Sequence, residues 1–106
     1  MQRALVWLII TVALGNQPTY AQDTIQVRQG RAFAQSVCAP CHGIVPGAPS
    51  PIAGAPSFHA IAATPGMSPL ALRVALETPH HSMPNLMLSA DELRDVTAYI
   101  MSLRAK

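Results

Sequence analysis

The stretch GRAFAQSVCAPCH, residues 30–42, decides how this chain is to be read. It closes on Cys38-Ala39-Pro40-Cys41-His42, a C-x-x-C-H pattern. Two thiols at that spacing can add to the two vinyl groups of one haem, and a histidine directly after the second can ligate the iron from one side. Other chemistries fit less well. A zinc site needs about four ligands, usually with a second cysteine pair. The chain has only these two cysteines, and His59, His80 and His81 give no second half with ordinary spacing. A thioredoxin-like pair needs a strand-rich α/β surrounding, which this sequence does not offer. A Cys38–Cys41 disulfide closes too small a loop to stabilise much, although an oxidising compartment permits it. The reading is covalent attachment of one haem through Cys38 and Cys41, with His42 on the iron.

Upstream of the motif, Asp23 and Gln26 form a capping-box pattern. Val27, Gly30, Ala34, Val37 and Cys41 then recur at spacings of three and four, with Phe33 beside them. This predicts a helix over 24–37 whose apolar face carries those residues. Gly30 costs such a helix about 1 kcal/mol against alanine; close backbone approach and simple tolerance both account for it. Further upstream, Met1-Gln2-Arg3, an apolar run from Ala4 to Leu14 and small residues ending at Ala21 follow the layout of a secretory signal. The run is well short of the roughly 20 residues that a membrane-spanning helix needs. Residues 1–21 are therefore expected to be a signal peptide cleaved after Ala21. Residues 22–106 are the expected functional domain, exported to the periplasm and not inserted in the membrane. In that domain six basic residues (Arg28, Arg31, Arg73, Arg94, Arg104, Lys106) face five acidic ones (Asp23, Glu77, Asp91, Glu92, Asp95). A surface so near neutral argues against nucleic acid as a partner.

Downstream, Pro46, Pro49, Pro51, Pro56, Pro65 and Pro69 crowd the middle of the chain. Proline cannot donate a ladder hydrogen bond, so this region is expected to be a long ordered loop and not a sheet. Ser68-Pro69 opens a short helix that ends before Thr78-Pro79, with Leu70, Val74 and Glu77 on one side and Leu72 and Leu76 on another. Ser89 and Glu92 make a second capping box, followed by a stripe of Leu93, Val96, Ile100 and Leu103 with Tyr99 beside it. Asp91 and Glu92 in the first turn and Arg104 and Lys106 at the end suit the dipole of this last helix. A domain of this size buries a modest core, and beyond the leader its large aromatics are Phe33, Phe58 and Tyr99. A flat apolar cofactor tethered at two points would supply the missing centre.

Three blocks of the sequence resemble the class I cytochrome c family. They are Gly30-Arg31-Ala32-Phe33 ahead of Cys38 to His42, then Ala55-Pro56-Ser57-Phe58, then Met83-Pro84-Asn85 followed by Leu88 to Leu93 and Ala98-Tyr99-Ile100. The resemblance implies an all-α cytochrome c fold: three to four short helices around one covalently attached haem c, with the N- and C-terminal helices crossing. It implies that Met83 bonds the iron opposite His42, through a soft thioether that raises the reduction potential. Met67, Met87, His80 and His81 are the alternatives. It places Gly30 at the helix crossing, against Val96 and Tyr99. It gives Pro56, or failing that Pro51, a carbonyl that accepts a hydrogen bond from His42. Many family members hold the haem propionates with a tryptophan or a second tyrosine; here the domain has only Tyr99, and Arg73 is more simply a solvated charge.

The function implied is single-electron transfer between periplasmic or membrane redox proteins that dock transiently, with no catalysis at the iron. Two other functions remain open: a dedicated electron-accepting subunit of a periplasmic dehydrogenase or oxidase, and an open-site haem peroxidase or gas-binding protein.

Overall fold

A computed structural model describes residues 19–80 and 82–105 of the chain, with side chains from Thr24 onward. Nearly all of the expected signal peptide lies outside the described residues, as does His81. The order of elements is α1 (Thr19–Val37), α2 (Phe58–Ala63), α3 (Pro69–Glu77) and α4 (Ala90–Ser102), closed by a single 3-10 turn (Leu103–Ala105). The described residues hold helices and loops without a strand, as the all-α reading requires.

Two local features depart from expectation. The first helix begins at Thr19, so Asp23 lies inside it and is not its N-cap. No glycine or proline stands between Pro18 and Gly30 to stop the helix from extending toward the N-terminus. The proline-rich middle also contains α2, which the proline count concealed. Ser57 accepts a hydrogen bond from the Ala60 amide and so caps α2 directly after Pro56. The other caps stand where the sequence put them. Ser68 accepts from the Ala71 amide with Pro69 at the first helical position. Ser89 and Glu92 close a reciprocal capping box, at 3.1 and 2.8 Å.

Crossing of α1 over α4 organises the molecule. Gly30 and Ala34 of α1 are buried there, with Leu93, Val96, Tyr99 and Ile100 of α4, and Leu103 just beyond. Gly30 is a contact point because a Cβ would collide with the Asp95 backbone carbonyl and come within 2.8 Å of the Tyr99 Cβ. The nearest atoms across the crossing thus belong to Asp95 and Tyr99, whereas Val96 was the expected neighbour along with Tyr99. The inner stripe of α1 also ends differently. Cys38 is buried one turn beyond Ala34, while Val37 and Cys41 are exposed, because Cys41 already belongs to the turn that succeeds the helix.

Leu72 of α3 is buried against this core and Leu76 packs on it, while Leu70 and Val74 on the opposite side are 71% and 54% exposed. Arg104 does more than complement a helix dipole. Its guanidinium donates to the Ala62 carbonyl at 3.2 Å and to the Met67 carbonyl at 2.6 Å, tying the end of α2 and the turn before α3 to the C-terminus. None of the helices among the described residues is long and apolar enough to cross a membrane.

The Tyr99 hydroxyl donates to the buried Ile44 carbonyl at 2.6 Å and so ties α4 to the loop after His42. Burial raises the Tyr99 pKa, with the Arg31 charge opposing, so the hydroxyl stays a donor. Tyr99→Phe leaves the Ile44 carbonyl buried and unpaired. It is expected to lose about 1–3 kcal/mol of stability, read as a lowered urea midpoint at unchanged slope.

Candidate haem-attachment site

The candidate site is built on the way α1 ends. The helical ladder runs on to Cys38, whose amide donates to the Ala34 carbonyl at 2.8 Å. Pro40 has no amide to continue it. The chain instead folds into a tight turn in which the Cys41 and His42 amides both donate to the Cys38 carbonyl, at 3.1 and 2.9 Å. Cys38, Cys41 and His42 are thereby presented from one turn. Cys38 faces the core and Cys41 faces outward, and both are free thiols. Burial, with the neighbouring Cys41 adding, pushes the Cys38 thiol up to about 11.

The proline-rich loop folds back over this turn. Gly43 permits it: a side chain there would strike the Ala48 carbonyl and lie 2.9 Å from the Pro49 carbonyl carbon. The Gly43 amide donates to the Ser50 hydroxyl at 3.0 Å, and the Phe58 amide donates to the Gly43 carbonyl at 2.8 Å. This brings Pro56 onto the histidine. His42 Nδ1 lies 2.7 Å from the Pro56 carbonyl oxygen. A carbonyl only accepts, so Nδ1 carries the proton and Nε2 keeps its lone pair for a metal. Of the two prolines considered, Pro56 is the one that makes this bond.

A line of rings supports the imidazole. Phe58 packs beside His42 with centroids 5.6 Å apart and planes at 45°. Tyr99 packs on Phe58 at 6.3 Å and 58°. With its hydroxyl committed to Ile44, Tyr99 serves the backbone and not a cofactor carboxylate. Gly43 and Ser50 belong to no chemical motif, and Phe58, although part of the block that resembles the family, has no role assigned to it by the sequence. The usable signal was a large aromatic, Phe58, standing alone in a proline-rich segment.

Met83 comes from a different segment, the connection between α3 and α4, and is partly buried. Met67 packs against the core as filler. Met87 is 96% exposed, because it precedes the Ser89 cap and so stays outside the buried face of α4. His80 is exposed. Among the described residues there is no group of three or more His, Cys, Asp or Glu placed to hold a metal ion.

Two free thiols and an imidazole on one turn fit the spacing of a C-x-x-C-H haem-attachment motif. Fold and site together define a c-type cytochrome. The chain belongs to the family described as "Cytochrome C oxidase, cbb3-type, subunit III", matched over residues 25–100. It is also 35% identical, over 99 residues, to cytochrome c-552 of Bradyrhizobium diazoefficiens, which covers 93% of this chain and 92% of that relative. No solved structure matches it. The chain is thus a small monohaem cytochrome of class I, with electron transfer as its field and covalently bound haem c as its cofactor.

Proposed function

We propose that this protein is a periplasmic carrier of single electrons whose haem is tethered at Cys38 and Cys41 and ligated by His42 and Met83. The observation that carries the reading is the 2.7 Å bond from His42 to the Pro56 carbonyl, which leaves Nε2 as the metal-facing atom. When bound, the haem supplies a one-electron redox change at its iron. The protein residues position and close it. Cys38 and Cys41 anchor one edge through thioethers. Pro56 holds the His42 tautomer and aim. Met83 would supply a soft sulfur as a second protein ligand, with Pro84 keeping that segment extended. Were the iron held by both side chains, no substrate would need to reach it, which suits a carrier and not an enzyme. Residues 1–21 act as the export signal and are removed, leaving 22–106 as the working domain.

Charge near neutrality implies brief docking through small apolar contact, with mild salt dependence. A second reading, a dedicated redox subunit, is favoured by one observation: the family's own description names an oxidase subunit. Copurification of a stable enzyme partner from the periplasmic or membrane fraction supports the subunit; recovery as a free monomer supports the carrier.

Met83→Ala tests the ligand. The expected result is loss of the ferric sulfur-to-iron band in the red, a lower reduction potential within the roughly 0.8 V span that axial ligands control, and ready binding of CO by the ferrous protein. An unchanged spectrum and potential overturn Met83 as ligand. Ready CO binding by the unmodified ferrous protein at neutral pH favours the open-site alternative over a pure carrier.

A further inference from the structure

The bond between His42 and Pro56 leaves one degree of freedom unexplained. A single N–H···O contact keeps most of its strength over about 30° of departure from linearity, so by itself it aims Nδ1 without fixing the plane of the ring. The other constraint on that plane is Phe58. This side chain is 3% exposed, its ring centroid is 5.6 Å from that of His42, and Tyr99 packs on it in turn at 6.3 Å. Tyr99 cannot yield easily, since its Cβ sits at the Gly30 crossing and its hydroxyl is bonded to Ile44, two residues after the histidine. The Phe58 backbone is equally committed, through its amide to the Gly43 carbonyl. Repulsion between packed atoms rises far more steeply than a hydrogen bond weakens.

We propose that Phe58 is a positioning residue that sets the plane of the His42 imidazole, wedged between that ring and Tyr99 of the C-terminal helix. This rests on the reading of His42 as an iron ligand. The orientation of the imidazole plane governs its overlap with the metal orbitals, and so how unpaired spin spreads around the porphyrin in the ferric state. The Gly30 crossing thereby reaches the ligand through the sequence Tyr99, Phe58, His42, and a helix contact acquires a say in the electronic state of the cofactor.

Paramagnetic proton NMR of the ferric holoprotein tests this. Phe58→Leu keeps an apolar side chain but removes the flat ring face; Phe58→Met does the same with a flexible chain, should the leucine variant not accumulate. Leu72→Ala, a core truncation on α3, serves as the control for general destabilisation. The expected result is a changed order and spread of the porphyrin-methyl resonances in the Phe58 variants, with the unmodified pattern in Leu72→Ala and its recovery in Phe58→Tyr. A folded Phe58→Leu or Phe58→Met holoprotein with the unmodified methyl pattern overturns the role of Phe58 and leaves His42 ligation standing. A methyl change of the same kind in Leu72→Ala also overturns it. If the unmodified protein lacks the strongly shifted ring-proton signals of an iron-bound histidine, the ligand assignment fails and the proposal falls with it.

Discussion

Gly30→Ala is expected to lower the stability of the protein by about 1–2 kcal/mol. Two effects oppose each other. Alanine favours a helix interior over glycine by about 1 kcal/mol. Against that, its Cβ would overlap the Asp95 carbonyl and crowd the Tyr99 Cβ. The carbonyl is part of the α4 backbone and cannot swing aside as a side chain could, so relief requires α1 and α4 to separate. Overpacking of this kind typically destabilises by about 1–3 kcal/mol, occasionally more, and here it also loosens the contacts of Ala34, Val96 and Ile100. The steric term wins. At about 4–8 °C per kcal/mol for a domain of this size, the midpoint of thermal unfolding should fall by roughly 5–15 °C, and Gly30→Val should fall further. A midpoint that holds or rises in Gly30→Ala would mean that the helices do not meet there.

The second large effect is expected at the attachment turn. Cys38→Ala and Cys41→Ala should each cut the yield of folded protein several-fold or more, and together they should abolish haem that survives denaturing electrophoresis. Among the described residues the largest fully buried side chains are Ile100 and Val96, and chains this small commonly need a cofactor or cross-link to stay folded. A loss of even 1–2 kcal/mol in such a domain changes its abundance several-fold. The two single variants should differ in degree. Cys38 is buried with Ala34, Phe58 and Tyr99 in one apolar cluster and Cys41 is exposed, so Cys38→Ala also removes a packed sulfur from the core. A stable haem-free domain after either change would contradict a core that depends on the cofactor.

Much of this architecture is legible in the sequence. The Ser68 and Ser89 caps, the boundaries of α3, and the stripe of α4 were all read correctly, because each depends on residues within one or two turns of helix. So was the partner of the His42 ring, although only through a family resemblance and not from the residues themselves. The features that escaped were set by chain reversal. Nothing local distinguishes Phe58 as a neighbour of His42; their contact arises because the loop folds back at Gly43 and α2 starts directly after Pro56. The nearest atoms under Gly30 belong to the Asp95 backbone, because the approach at a glycine is decided by main chains, which periodicity of side chains does not report. Cys38 took the inner position expected of Val37 because the helix ends there and the turn changes the direction of the chain.

From its order of residues alone, then, the chain specifies a C-x-x-C-H turn, its helix caps and an all-α domain, since these arise from bonds and geometry spanning a few positions. Only the folded molecule decides that the Pro56 carbonyl and Phe58 converge on His42, that Tyr99 packs on Phe58 and serves Ile44, and that Arg104 clamps α2 to the C-terminus. Those contacts join segments far apart in sequence. They form because α1 packs against α4 at Gly30 and the proline-rich loop closes over the attachment turn.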